Sequence, residues 1–290
     1  MTRTPPPSDD PIRTAAAAPE ASEPAPPPRT TRRRVLKGVL TGVGCILGAG
    51  VTGVGGLILV DRHQRFARGP ARHIADHRIE LPAATPRMVI ARGPEPARNV
   101  RAAVERLGGM AQFVTPADVV VIKPNIGWDR SAEQGANTHP DVVAAVVRLC
   151  REANARRVIV SDCPVRRSRA ALERSGILAA ARAAGAEVIA PEDSRYHPVF
   201  VSPRLGIWDI LEPFVVATKV INVPVAKHHP LTGVTCGLKN WFGITGRLRM
   251  TLHQDVQRSI AELAALMRPT LTIVDASRVL MENGPQGGNP

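Results

Sequence analysis

The chain has 290 residues, is 44% hydrophobic but only 3% aromatic, and carries a net charge of +13 with a pI of about 10.9. That length suits one sizeable domain with tails, and a core built from Ala, Val, Ile and Leu suits α/β layers. The charge suits an anionic ligand or an anionic membrane surface, but not nucleic acid as a partner, because no zinc-finger spacing, RNA-binding aromatic motif or basic helix repeat is present.

Residues 1–30 hold nine of the 27 prolines and read as a disordered tail. Thr31-Arg32-Arg33-Arg34-Val35-Leu36-Lys37 resembles the twin-arginine export signal, with Val35 where Phe is commonest. An uncharged run from Gly38 to Val60 follows; as a helix its ~22 residues cover ~33 Å, about a bilayer core. Residues 31–60 are therefore expected to form an N-terminal signal-anchor helix, in the membrane through residues 39–60, with the Tat translocase as export partner. The globular part would be held extracytoplasmically on the inner membrane. A cleaved signal, leaving a soluble periplasmic protein, is the alternative.

Residues 61–85 read as a linker, and residues 86–290 as the globular domain. Arg87–Ala91 is predicted as a short strand, and Arg98–Leu107 as a helix ended by Gly108-Gly109. Asp118–Ile122 is a continuous apolar run, as for a strand buried on both faces. A helix runs from Pro140 to Ala153 with Thr138 or His139 at its cap. Strand Arg157–Ser161, helical pieces Ser168–Ser175 and Ile177–Ala184, and strands Ala186–Ala190 and Lys219–Val223 follow. Helix His253–Met267 and a last strand, Leu271–Val274, complete the alternation. The pattern predicts an α/β fold: three-layer α/β/α with a mostly parallel, Rossmann-like sheet.

Ligands of open parallel sheets bind beyond the carboxyl ends of the strands. Here those ends carry Lys123 and Asn125, Asp162, Lys227 and His229, and Asp275. The polar stretch 227–243 adds Thr235, Lys239 and Asn240, with Gly233 and Gly237 permitting close backbone approach. From Thr235 to Trp241 it is predicted helical, so that free N–H groups would face an anion, with Lys239 one turn on. The lysines would bind a carboxylate or phosphate, His229 would move a proton near neutral pH, and the two aspartates would position them. Asn125, Thr235, Lys239, Asn240 and Asp275 are the expected substrate-binding set, and Lys227, His229, Asp162 and Lys123 the expected catalytic set. No Walker loop or Gly-x-Gly-x-x-Gly fingerprint signals a nucleotide. His139, His228, His229 and His253 match no metal signature, so no metal ligands are assigned. Cys45, Cys150, Cys163 and Cys236 form no Cys-x-x-Cys pair and encode no iron–sulfur motif.

These residues resemble a family. Lys123-Pro124-Asn125, Thr138-His139-Pro140, Ser161-Asp162, Lys227-x-His229, Leu231–Thr235, Leu238-Lys239-Asn240 with Phe242-Gly243, His253, Val274-Asp275 and Asn283-Gly284-Pro285 look like the domain-of-unknown-function 362 family (DUF362), over roughly Met88 to Pro290. The resemblance implies no agreed activity. Some members carry a ferredoxin-like iron–sulfur module, whose cysteine runs this chain lacks. The family is also distantly similar in fold to the catalytic domain of nickel-dependent lactate racemase. Longer members continue past Asn283-Gly284-Pro285 with another strand and helix, so the resemblance implies either a short member or a truncated product, one sheet edge being uncovered in the second case. The functional expectation is an exported enzyme acting on a small anionic substrate. The alternative is a membrane-tethered protein that binds an anion or a metal without turnover.

Overall fold

The computed structural model of the chain describes residues 71–165, 168–246 and 249–287. The tail, the twin-arginine motif and the apolar run up to Val60 lie outside these residues. Among the described residues no helix is long and apolar enough to cross a membrane.

Five parallel strands form the central sheet: β1 (Val119–Pro124), β2 (Arg157–Ser161), β3 (Glu187–Ile189), β6 (Lys219–Val223) and β9 (Leu271–Thr272), in the spatial order β3-β2-β1-β6-β9. Every residue of β1 is buried, because β1 is central and covered on both faces. Val120 and Ile122 point into one core, with α1 (Pro96–Arg106), α2 (Pro140–Glu152), α3 (Ser168–Arg174) and α4 (Ile177–Ala183) packed over it. Val119 and Val121 point into a second core. This one is closed by the antiparallel hairpin β4 (Tyr196–Ser202) and β5 (Gly206–Leu211), by α5 (Glu212–Val216), and by α6 (Val256–Met267). The period-2 alternation of β1 thus feeds two cores rather than one core and solvent.

Local chemistry sets the element ends. Pro140 opens α2, and the His139 side chain accepts the Asp141 N–H, satisfying a donor that the first turn would leave open. After α1 the chain turns through Gly108 and Gly109 at φ +97° and +88°, values that side chains resist.

Beyond the carboxyl edge the fold departs from a simple sheet. Pro224 interrupts β6, and the chain resumes as β7 (Val225–His229). In the same way β9 gives way to β10 (Asp275–Leu280), which pairs with β7 in parallel. Hydrogen bonds from Ile273 N to Asn222 O (2.9 Å) and from Asp275 N to Pro224 O (2.8 Å) carry the ladder across the break. An antiparallel strand, β8 (Gly233–Thr235), completes a small sheet in the order β10-β7-β8. Lys227 and His229 therefore lie within a strand that overshoots the main sheet, not in a loop after it.

Other expectations also change. Arg87–Ala91 forms no strand: no neighbouring strand pairs with it, and Met88 and Ile90 are 76% and 69% exposed. The stretch predicted helical from Thr235 ends β8 at Thr235 and turns 3-10 only from Lys239 to Ile244. Residues 249–255 are likewise 3-10, so α6 starts at Val256 rather than His253. Leu271–Val274 is not the last strand, since β10 follows it. The hairpin β4–β5 had no sequence expectation at all. Part of the stretch read as linker packs on the domain. His77 is 1% exposed, and its carbonyl accepts the Thr270 hydroxyl at 2.8 Å.

Candidate functional site

Taken in chain order, the five central strands run 3-2-1-4-5, so the direction of winding reverses between β1 and β6. That switch point is where an open α/β sheet forms its ligand crevice, and the polar strand ends meet there in two layers.

The inner layer is a closed knot. The Lys123 amine, wholly buried, donates to Asp162 Oδ1 at 2.6 Å, to the Pro124 carbonyl at 2.9 Å and to Asn240 Oδ1 at 3.1 Å. Three acceptors use all three donors of an ammonium. Burial pushes the Lys123 pKa down, and the Asp162 charge pulls it back up. Asp162 also takes the backbone N–H of Ile126 at 2.6 Å and of Cys163 at 2.9 Å. Asn240 donates to Asn222 Oδ1 at 2.8 Å and to the Lys123 carbonyl at 3.1 Å. Gly243 closes the knot: a Cβ there would sit 2.7 Å from Lys123 Nζ and collide with Asp162 Oδ1.

Asn125 joins this knot to the outer layer. Its Nδ2 donates to Asn240 Oδ1 at 3.0 Å, and its Oδ1 accepts from Lys227 Nζ at 2.9 Å. Its own backbone N–H is held by the Thr138 hydroxyl at 2.8 Å, which in turn donates to Val223 O at 2.7 Å. The second partner of Lys227 is the Ala136 carbonyl. Lys227 is 2% exposed, yet both partners are neutral. Burial, and then the charge of Lys239, push its pKa down to about 7, with only partial relief from Asp162. Two N–H bonds satisfy both partners, so the neutral amine keeps its lone pair free.

Thr235 sits directly across from Lys227 in the β7–β8 register and shares its face. Its hydroxyl is buried and has no hydrogen-bond partner among the described residues, a costly arrangement in the absence of a ligand. His229, on the same face of β7, accepts the Leu231 N–H on Nδ1 at 3.1 Å, which leaves the proton on Nε2. Burial and the nearby Lys239 push its pKa down to about 4, so it is neutral at pH 7. Lys239 lies over the Phe242 ring at 4.7 Å, and the ring of His253 meets Phe242 edge-on at 5.2 Å. Burial and then the Arg249 charge push Lys239 down to about 8. Burial and Lys239 lower His253 as well. The outer layer is thus a set of mutually repelling cations and neutral imidazoles with no carboxylate of its own.

Eight of the nine residues singled out in the sequence meet in these two layers: Lys123, Asn125, Asp162, Lys227, His229, Thr235, Lys239 and Asn240. The ninth, Asp275, braces the site from outside by accepting His139 N at 2.7 Å and the Ser277 hydroxyl at 2.6 Å. Sequence reasoning gave no site role to Asn222, Gly243 or Arg249. Asn222 was hidden inside an apolar strand run. Arg249, whose guanidinium binds the carbonyls of Cys163 and Pro164, is one arginine among many. Among the described residues no group of three or more His, Cys, Asp or Glu side chains is arranged to hold a metal ion.

Residues 120–290 match the family model described as "Domain of unknown function (DUF362)". The chain is also 29% identical over 200 residues to the "Thylakoid-associated protein sll1697" of Synechocystis sp., an alignment covering 66% of this chain and 62% of that protein. The chain thus spans less than two thirds of the length of the relative it matches.

Proposed function

The chain belongs to the DUF362 family, whose description names no activity, and from its site we propose an enzyme that acts on a small anionic substrate by proton transfer. The observation that carries this reading is the contrast in partners at Lys227: fully buried, hydrogen-bonded to two neutral oxygens, and beside a second lysine rather than a carboxylate. An amine so placed is half-neutral near pH 7, and a general base works best when its pKa is near the working pH. In this reading the Lys239 ammonium, the His229 Nε2–H and the Thr235 hydroxyl bind the substrate's carboxylate or phosphate oxygens. The Lys227 lone pair takes a proton from an atom next to that anionic group and later returns it. Lys123 and Asp162 touch no substrate; they fix Asn240 and Asn125, and through Asn125 the Lys227 amine. In this reading the proton-transfer role expected of His229 passes to Lys227, because a pKa pushed down to about 4 makes the imidazole a weak base and the Leu231 N–H occupies its Nδ1 lone pair.

A thermal-shift screen of small carboxylates and phosphates, followed by product analysis of each hit, tests the reading. Lys227→Ala is expected to abolish turnover of the substrate so found, and His229→Ala to weaken its binding. Turnover unchanged in both variants sinks the proposal. Tight binding of many anions with no product from any would mean capture without turnover.

We also propose that the domain is exported by the twin-arginine route and tethered to the inner membrane through residues 39–60. The motif Thr31–Lys37 and the uncharged run after it support this, and a relative named as thylakoid-associated fits a protein that works at a membrane. Replacing Arg32 and Arg33 by Lys is expected to trap the protein in the cytoplasm on cell fractionation. Export that continues unaltered in that variant would refute the route.

A further inference from the structure

Successive side chains of β8 point to opposite faces, so Val234 faces away from Thr235 and Lys227 and pairs instead with His228. On that reverse side lies a cleft of about 440 Å³ that shares only Lys239 with the proton-transfer site. Its apolar wall comes from Val234, Leu238, Trp241, Ile260, Ala264 and Val274. Three of these stand at its rim with large apolar surfaces in water: Leu238 is 62% exposed, Val234 57% and Val274 46%. Contiguous apolar surface left open around a concavity marks a binding site more often than scattered exposure does, and the volume is that of a small-ligand pocket.

The charge of the lining says what the ligand must be. Among the described residues no carboxylate lines the cleft, and Lys239 is the only charged side chain that does. No ion pair among the described residues involves Lys239, and the charges that act on it most, the Arg249 guanidinium and the buried Lys227 amine, are themselves cationic. A neutral apolar ligand would bury this ammonium unmatched, and a bare inorganic anion would leave the rim in water. Only a molecule with both parts satisfies the lining. The floor connects to the inner knot through Asn222, which donates to the Gly237 carbonyl at 3.0 Å and accepts from Asn240 at 2.8 Å.

We propose that this cleft binds a small amphiphilic anion, its aliphatic body against Val234, Leu238, Ile260 and Ala264 and its acid group on Lys239. The proposal rests on the anion reading of the site through Lys239 alone. Lys239 is where the cleft and the cation cluster meet, so the ligand is either the substrate itself or an effector that sets the cluster's charge.

The test is calorimetric titration of the full chain, held in lipid nanodiscs with empty nanodiscs as blank, against acetate, octanoate and octanol. Octanoate is expected to bind at least ~100-fold more tightly than acetate, since six more methylenes leave water. Lys239→Gln is expected to weaken octanoate at least ~10-fold and leave octanol unchanged, the loss of one charge-assisted contact. Ala264→Trp fills the cleft and is expected to abolish the octanoate preference while leaving acetate binding intact. Val274→Asp, on the exposed rim, does the same without touching the core, and guards against a misfolded Ala264→Trp. Octanoate binding no tighter than acetate, or an octanoate affinity that survives both cleft variants, overturns the proposal. So does a dimer in light scattering that Leu238→Glu splits while octanoate has no effect, because a second copy would then cover the cleft. Octanoate binding lost in the cleft variants, with acetate and inorganic phosphate binding nowhere, would uphold the cleft and remove the anion reading of the cluster instead.

Discussion

Two lysines at one sheet edge, Lys123 and Lys227, are equally deep in the protein and meet opposite surroundings. Lys123 has a carboxylate at 2.6 Å and two further acceptors, and every polar atom around it is spoken for. Lys227 has an amide oxygen and a backbone carbonyl, a second lysine for a neighbour, and an unpartnered threonine hydroxyl across the ladder. Depth alone therefore does not define a functional lysine. A saturated ammonium is a girder, since breaking its pair leaves a buried charge behind. An amine short of anionic partners is held near its switching point and improves its surroundings by taking an anion.

The comparison breaks most visibly if the girder is cut. Asp162→Ala strands the Lys123 ammonium and two backbone N–H groups, and is expected to cost about 3–5 kcal/mol in urea unfolding. The paired replacement Lys123→Met with Asp162→Leu should recover much of that loss. A cost for Asp162→Ala no larger than for an exposed pair such as Arg101–Glu152 would show that the knot is not structural. Lys227→Met should do the reverse. It leaves Asn125 Oδ1 and Ala136 O without a donor, costing about 1–3 kcal/mol, but relieves a buried cation. Its stability loss is thus expected to be smaller than that of Asp162→Ala, while turnover falls by about 100-fold or more.

The pH dependence of stability sharpens the same contrast. Lys227 has a pKa of about 7 folded and 10.5 unfolded, and Lys239 about 8 folded. Between the two values the unfolded chain holds a proton that the folded chain has lost. Unfolding then takes up protons, and stability rises with pH from about 7 to 10.5; Lys123 contributes in the same sense. His229 gives a smaller rise between about 4 and 6.5. Melting temperatures across this range should show the upper rise flattened in Lys227→Met. Anion binding should move oppositely, weakening above about pH 8 as Lys239 loses its proton, and taking up protons when measured at pH 8. A melting temperature that falls steadily from pH 7 to 10 would contradict this account of both lysines.

The smallest expected effect is at Thr235. Thr235→Val removes a hydroxyl that has no hydrogen-bond partner among the described residues, so stability should hold or gain up to about 1 kcal/mol. Anion affinity, by contrast, should drop about 5- to 10-fold, one neutral hydrogen bond's worth. A destabilised variant with unchanged affinity would make the hydroxyl a structural group after all.

The sequence by itself determined a good deal of this. Short apolar runs between periodic segments placed all five central strands, because inner strands such as β1 are covered on both faces and so read apolar from Val119 to Ile122, although the same signal also suggested a strand at Arg87–Ala91 that does not form. Pro140 after His139 marked the start of α2, since proline at a first helical position needs no N–H partner. The polar residues just after those strands marked the edge where a site forms. Only the tertiary structure decided what each of them is. Nothing local distinguishes Lys123 from Lys227; the difference is that Asp162, 39 residues away, reaches one and not the other. The parallel continuation of β6 and β9 into β7 and β10 was equally invisible, because strands of two to six residues interrupted by Pro224 carry too little pattern. The hairpin β4–β5 takes its place from the second core it covers. Protonation, pairing and reach are set by burial and by partners distant in the chain, and those are properties of the fold rather than of any segment of it.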